Sequence, residues 1–398
     1  MDFALQLAFW ICLGLVFYTY LGYGLVLYLL LKVRNIFTKR TVVKDLEDES
    51  LPEITFIVAA YNEEDYIEDK IINNLGFDYP KEKIHFLFVT DGSNDRTPEI
   101  IKGFNYPEGV NWSLYHSPER RGKIAAVERI MEFVRTPITI YTDANTDVNP
   151  KAIRKIVRHY EDPTIGAVAG EKRIAMATKD AANAAGEGFY WKYESLLKKW
   201  DAQLYSVVGA AGELFSIRTH LYTPVPPDTI IEDFFLTLTI SRKGYRVMYE
   251  PEAYAVENSS ASVPEELKRK IRIAAGGLQA IYRLSPLLNV FKYGLLSFQY
   301  ISHRVLRWTL TPAALPILLI INTILAAKGY PFFKVMLVLQ VLFYLAAIIG
   351  YLLERQRIKF KAFFIPYYFC VMNYAVYRGF LRIIKGNQSV MWEKAKRA

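Results

Sequence analysis

Apolar positions along this chain follow two patterns. Phe3 to Leu31, Trp308 to Ala327 and Val335 to Leu353 contain no charged residue, and each is about as long as the ~20 residues that a bilayer core requires. A fourth stretch, Ala362 to Tyr377, is shorter and contains Pro366; at ~1.5 Å per residue it falls short of a ~30 Å core. Four membrane spans are expected, with a re-entrant last segment as the alternative. Between these stretches the apolar runs are short and separated by polar turns. Ile54-Thr-Phe-Ile-Val-Ala-Ala60 and His85-Phe-Leu-Phe-Val-Thr90 read as strands buried on both faces. Further strands are expected near Trp112 to Tyr115, at Ile138 to Thr142 and near Arg246 to Tyr249, and a strand with a tight turn from Ser206 to Ile217. Helical sequence follows Glu64 to about Leu75, fills Arg121 to Val134 and 181–203, and resumes from about Pro264. Strands alternating with helices imply an open α/β sheet.

The expected organisation is a membrane anchor over residues 1–32 and a globular domain over 33–284, entered through a polar linker over 33–50. An amphipathic helix lying in the membrane interface follows over 285–308, its Lys292, His303, Arg304 and Arg307 turned to the head groups, with a buried helix with snorkelling ends as the alternative. Membrane helices over 309–384 and a basic tail over 385–398 complete the chain. The net charge of +9 does not change this picture. Its basic residues flank the apolar stretches instead of forming one block with interleaved aromatics, which argues against a nucleic-acid partner and for the positive-inside pattern. That pattern places the globular domain in the cytosol and the N-terminus outside. Met-Asp-Phe lacks the basic start of a signal peptide, so the first segment reads as an uncleaved anchor. Cys12 and Cys370, the two cysteines, lie in apolar segments without metal spacing and suit packing.

Ligands of open α/β sheets bind outside the carboxyl ends of strands. Tyr61-Asn-Glu-Glu64, Asp91-Gly-Ser-Asn-Asp95 and Asp143-Ala-Asn145 all follow strands. Asp91 in such a turn can bind a sugar hydroxyl or a base. Asp143 and Asn145 offer two oxygen donors for a hard divalent cation. Lys123 can reach a phosphate. Arg269 and Arg272 share a helix face, where forked guanidinium groups suit a diphosphate or anionic lipid. Glu232 and Asp233 sit inside the apolar run Thr229 to Leu236, where uncompensated carboxylates are costly. A helix start is the bland reading of that pair.

Taken in order, these motifs resemble the family 2 inverting glycosyltransferases, in the branch that holds the cellulose, hyaluronan and chitin synthases. The resemblance covers most of residues 51–310. It implies a GT-A fold, a Rossmann-like open α/β sheet, and a nucleotide-diphosphate sugar donor, a UDP-hexose or UDP-N-acetylhexosamine. It further implies a lipid-linked or polysaccharide acceptor, a divalent Mg²⁺ or Mn²⁺ ion, contact with membrane lipids and other polysaccharide-synthesis proteins, and a bacterial cytoplasmic membrane. Ala60, Tyr61 and Glu63 match the nucleoside-binding strand end, Asp91 the residue near the base, and Asp143 the first metal-holding acid. Asp233 matches the general base, with Glu232 in support, and Arg272 an arginine near the diphosphate. Asp233 is expected to be kept ionised by the metal and Arg272. The sequence departs from the family pattern at Asn145, where a second acid is usual, at Arg269, where Gln is usual, and at Ile273, where the processive synthases have a Trp lining the acceptor entrance. Ile273 therefore predicts addition of one or a few sugars. The rival readings are a nucleotide-sensing transport subunit and a GT-A-like binding protein without activity.

Overall fold

The computed structural model describes residues 2–38, 43–175, 183–258, 263–356 and 360–386. Helices α1 (Asp2–Phe17) and α2 (Tyr23–Phe37) form one rod, joined by a π-turn at Tyr18–Gly22. The α/β domain then runs β1 (Ile54–Ala60), α3 (Ile67–Leu75), β2 (Ile84–Asp91), α4 (Thr97–Gly103), β3 (Asn111–Ser117), α5 (Lys123–Met131), β4 (Ile138–Asp143) and β5 (Thr146–Val148). It continues with α6 (Ala152–Val157), β6 (Ile165–Ala175), α7 (Asn183–Leu204), β7 (Leu214–Arg218), α8 (Glu232–Arg242), β8 (Arg246–Asn258) and α9 (Val263–Arg283). Three short helices follow, α10 (Val290–Tyr293), α11 (Leu295–Tyr300) and α12 (Leu306–Trp308), then the long α13 (Leu310–Ala327), α14 (Pro331–Arg355) and α15 (Lys361–Ile384).

The eight strands form one sheet in the order β3-β2-β1-β4-β7-β6-β8-β5. The first four in that order are parallel, and β7 enters antiparallel to both β4 and β6. Ile54 to Ala60 are all buried, as an uninterrupted apolar strand covered on both faces must be. Alternate residues feed two cores. Phe56, Val58, Phe86 and Ile140 point to one, and Ile57, Leu87, Val89 and Tyr141 to the other. Register decides where the chemistry emerges: Ala60 pairs with Thr90 and Ala59 with Asp143. The chain therefore leaves β1, β2 and β4 along one edge of the sheet.

Several expectations need correction. The 33–50 linker is helical as far as Phe37; residues 39–42 lie outside the described residues. The segment 206–217 contains only the strand Leu214–Arg218. The strand near 246–249 runs on to Asn258, where it is held by β6 and β5. The single helix expected over 285–308 is interrupted at Gly294, whose φ of 52° is a conformation open to glycine, and runs on from Leu295 to Trp308 through a π-turn; His303, Arg304 and Arg307 do not face head groups but pair with Glu194 and Asp201 of α7. Asp2–Phe37, Leu310–Ala327 and Pro331–Arg355 are long and apolar enough to cross a membrane, and among the described residues α15 does not join them. It is nonetheless a continuous helix through Pro366. The basic tail beyond residue 386 lies outside the described residues.

Candidate active site

One cavity of about 1400 Å³ runs from the ends of β1 and β4 to the foot of the membrane helices. At its floor the turn after β4 and the start of α8 face each other. Lys123 bridges them, donating from Nζ to Asp143 Oδ1 at 2.8 Å and lying 2.9 Å from Glu232 Oε1. Lys123 is the first residue of α5. It follows Gly122, whose φ of 95° turns the chain sharply inward. That turn is fixed by Asp91, whose Oδ2 accepts the backbone N–H groups of Arg121 at 2.8 Å and Gly122 at 2.6 Å.

The two adjacent carboxylates of α8 are driven apart electrostatically. Burial and the Glu232 charge push Asp233 up to about 7, against the pull of Lys123. Burial also disfavours the Glu232 charge, but Lys123 and Arg272 more than compensate and hold its carboxyl below the ordinary value. This corrects the expectation for Asp233. Arg272 stabilises the neighbour's charge, and Asp233 is left near the pKa that suits a general base at neutral pH. Gly212 keeps the space between them open: a Cβ there would stand 3.5 Å from Asp233 Oδ2 and 3.6 Å from Lys123 Nζ. Burial raises Asp143, with Lys123 opposing. Lys123 itself loses charge stability by burial but is held protonated by Asp143 and Glu232.

Of the residues singled out in the sequence, Tyr61, Glu63, Lys123, Asp143, Asn145, Glu232, Asp233, Arg269 and Arg272 line this cavity. Ala60 and Asp91 do not. Ala60 is buried in the sheet, and Asp91 works behind the wall, shaping the 121–122 turn. Arg269 is held by Glu266 at 2.8 Å, and Arg272 donates to the Ile230 carbonyl at 3.4 Å. Asn62 is a non-glycine residue at positive φ, 53°. Its side chain exchanges hydrogen bonds with Asn94, which ties the turn after β1 to the turn after β2.

Three groups in or beside the cavity escaped the sequence reading. Lys172 forms a buried pair of contacts with Glu213 and Glu257. Its signals lie more than 40 positions apart in sequence, although Glu213 closes the Gly-rich turn at 209–212. Trp191 lines the cavity with Lys270 5.0 Å from its ring. Lys70 is fully buried under the β4 turn and donates to the Thr146 carbonyl at 2.7 Å; burial pushes its amine down to about 7.

The donors for a divalent ion are few. Among the described residues no three acidic, His or Cys side chains converge. Asp143 and Asn145 offer one carboxylate and one amide oxygen source at a single turn, and Lys123 occupies only one Asp143 oxygen. Such a set fits an ion that takes most of its ligands from substrate phosphates and water, as Mg²⁺ commonly does.

Comparisons with known proteins agree with this geometry. Residues 55–221 match the family model for "Glycosyl transferase family 2". Poly-beta-1,6-N-acetyl-D-glucosamine synthase of Staphylococcus aureus (strain MSSA476) is 30% identical over 250 residues, covering 60% of this chain and 58% of that protein. The synthase of the same name from Staphylococcus epidermidis is 24% identical over 267 residues, covering 65% of this chain and 62% of that protein. The chain thus spans less than two thirds of these relatives' length. Among solved structures, the mannosyltransferase PcManGT from Pyrobaculum calidifontis, in complex with GDP-Man and Mn2+, superposes with a TM-score of 0.70 at 22% identity, covering 96% of this chain and 100% of that one. The shared fold therefore extends beyond the α/β domain to the flanking helices. With a GT-A sheet and an acid-lined cavity at its strand ends, the domain over residues 55–221 is similar to glycosyltransferase family 2.

Proposed function

We propose that this protein is an integral membrane transferase of the inverting type, moving a sugar from a nucleotide-diphosphate donor to a lipid-linked or glycan acceptor during cell-envelope or exopolysaccharide synthesis. The observation that carries the reading is the opposition of Asp143 and Glu232 across Lys123, with Asp233 adjacent, in a cavity that reaches the membrane helices. The names of the curated relatives favour UDP-N-acetylhexosamine as donor. The positive-inside pattern supports a cytosolic α/β domain, and we infer a bacterial cytoplasmic membrane.

In this mechanism the nucleoside lies against Tyr61 and Glu63 at the β1 end, and the diphosphate between Lys123 and Arg272. The acceptor hydroxyl approaches the anomeric carbon from the side opposite the diphosphate. Asp233 takes its proton as the new C–O bond forms and the bond to the diphosphate breaks. Lys123 and Arg272 stabilise the charge that accumulates on the departing group. Glu232 holds Lys123 in place. Asp143 and Asn145 would hold Mg²⁺ or Mn²⁺, which supplies further charge neutralisation on the diphosphate.

Purified protein in lipid, offered UDP- and GDP-sugars in turn, is expected to release UDP from one UDP-N-acetylhexosamine. Release of no nucleotide from any sugar would sink the reading. The rate should rise with pH through about 7, because Asp233 accepts a proton only when ionised and lies near that value. A flat kcat/KM from pH 5 to 8 would remove Asp233 from the base role. Ile273 lines the cavity, where a small aliphatic side chain offers no ring for a sugar to stack on. Products of one or a few added sugars are expected, and a high-molecular-weight polymer made by the purified protein alone would contradict this.

A further inference from the structure

The turn that carries Asp143 and Asn145 has little sheet around it. It leaves β4 in the middle of the sheet and enters β5, which is three residues long and lies last in the strand order, beside β8. So short an edge strand holds a turn loosely. The turn is closed by its own hydroxyls. Thr146 Oγ1 donates to the Asp143 carbonyl at 2.9 Å and lies 3.0 Å from Thr142 Oγ1, which donates to the Glu213 carbonyl at 2.9 Å. Helix α3 supplies the rest. Lys70 and Asn73, three positions apart, share one of its faces. The Lys70 amine donates to the Thr146 carbonyl at 2.7 Å and reaches Thr142 Oγ1 at 3.3 Å and Thr146 Oγ1 at 3.5 Å, so its three donors face three oxygens. The Asn73 amide spans Val148, accepting its N–H and donating to its carbonyl, both at 2.9 Å, as a residue of a neighbouring strand would.

Two features set Lys70 apart from a residue that merely fills the core. A buried amine, with the Phe56 ring 5.9 Å away, is a costly support for a turn whose hydroxyls are already paired. Burial disfavours its charge, and the acids that sustain it are Asp147 and Asp143. The attraction is mutual, so the amine favours the ionised Asp143 that a divalent ion requires. The second feature is where α3 begins. The N–H groups of Tyr66 and Ile67 both donate to the Glu63 carbonyl at 2.9 Å. The Glu63 N–H donates to Thr97 Oγ1 at 2.9 Å, and the Glu64 N–H to Asp95 Oδ2 at 3.1 Å. The turns that follow β1, β2 and β4 are thereby joined through one helix.

We propose that Lys70 and Asn73 are positioning residues for the divalent ion, holding the backbone of the Asp143–Asn145 turn and fixing its place relative to Tyr61 and Glu63 at the β1 end. Neither residue is among those that line the cavity, so both act through the turn and touch neither donor nor acceptor. The inference rests on the reading of Asp143 and Asn145 as ion ligands in the proposed function. Partners that orient metal ligands in this way typically contribute about 10–100-fold to metal affinity.

The test uses the full chain in lipid, saturated with UDP and titrated with Mn²⁺ while the paramagnetic resonance signal of the free ion is read. Lys70→Met keeps the length of the side chain and removes its donors and charge. It is expected to weaken Mn²⁺ binding by about 10–100-fold, while UDP binding measured in chelator stays unchanged. Sugar transfer should recover at saturating Mn²⁺, so that the loss appears in the KM for the ion and not in kcat. Asn73→Ala, at a half-buried position, should show the same split to a smaller extent, and it decides the matter if Lys70→Met does not fold. Mn²⁺ affinity equal to that of the unaltered protein in both variants would overturn the proposal. So would a joint fall of Mn²⁺ affinity and of UDP affinity in chelator, which would make the two residues supports of the fold alone. Absence of Mn²⁺ binding by the unaltered protein with UDP is a different failure: it would remove the ion from the proposed function and this inference with it.

Discussion

Asp233→Asn will lower sugar transfer by about 10²–10⁴-fold, the usual contribution of a positioned general base, while donor binding changes little. The substitution keeps the size of the side chain and the start of α8, so a loss of rate cannot be assigned to misfolding. It removes the one carboxyl in the cavity that burial and a neighbouring charge have brought to about 7. Glu232→Gln is expected to be milder and of a different kind. Its carboxylate holds Lys123 at 2.9 Å, so its loss should weaken the grip on the diphosphate and appear in KM as well as kcat. Transfer rates and donor affinity measured for both variants decide the assignment. A near-normal rate in Asp233→Asn beside a dead Glu232→Gln would reverse the two roles. If both variants remained active, the pair would be a helix start and nothing more.

Asp143→Ala should abolish transfer, with a chelator producing the same loss in the unaltered protein. Asp143 is the only charged oxygen donor of the β4 turn, since its companion there is the amide of Asn145. It is also one of the two anions that keep Lys123 protonated and in place. The substitution therefore disturbs both the ion and the cation expected at the diphosphate. Circular dichroism and thermal unfolding would check that the sheet survives, because the backbone of β4 is held by β1 and β7 whatever the side chain. Full activity in chelator would leave Asp143 as a support for Lys123 alone.

Much of this site could be read from the sequence because its parts lie at the ends of strongly patterned strands. The uninterrupted runs ending at Ala60 and near Thr90 and Thr142 are buried parallel strands, and such strands deliver their turns to one edge. What escaped the sequence depends on contacts between distant segments. Nothing local marks Lys70 as a buried amine under the β4 turn, or joins Lys172 to Glu213 and Glu257. A strand-end acid looks the same in sequence whether or not it also braces a neighbouring turn, as Asp91 does through the N–H groups of Arg121 and Gly122. In the 285–308 segment nothing local tells that His303, Arg304 and Arg307 are matched by Asp201 and Glu194, about a hundred positions earlier, and not by head groups. Strand β6 went unnoticed where small residues dilute the apolar signal, in Ile165-Gly-Ala-Val-Ala-Gly170.

The rod formed by α1 and α2 changes how the protein can be taken apart. Before the π-turn it packs on α13 through Phe9, and from the π-turn on it meets the catalytic domain. The Tyr23 hydroxyl donates to Asp201 in α7, and Tyr193 donates to the Tyr20 carbonyl at 2.9 Å. Asp201 also accepts from Gln299 at 3.1 Å and meets His303 at 2.6 Å, while Glu194, two turns earlier on the same face of α7, pairs with Arg304 and Arg307, each at 2.8 Å. These acids are buried, and buried acids are costly to leave unmatched. A shortened protein that begins at residue 43 would strip one hydroxyl from Asp201 and bare Leu197, which Tyr23 and Leu27 cover. Exchanging the rod for an unrelated membrane helix would do the same. What looks in sequence like a tether and its cargo is, in the folded chain, a single cooperative unit.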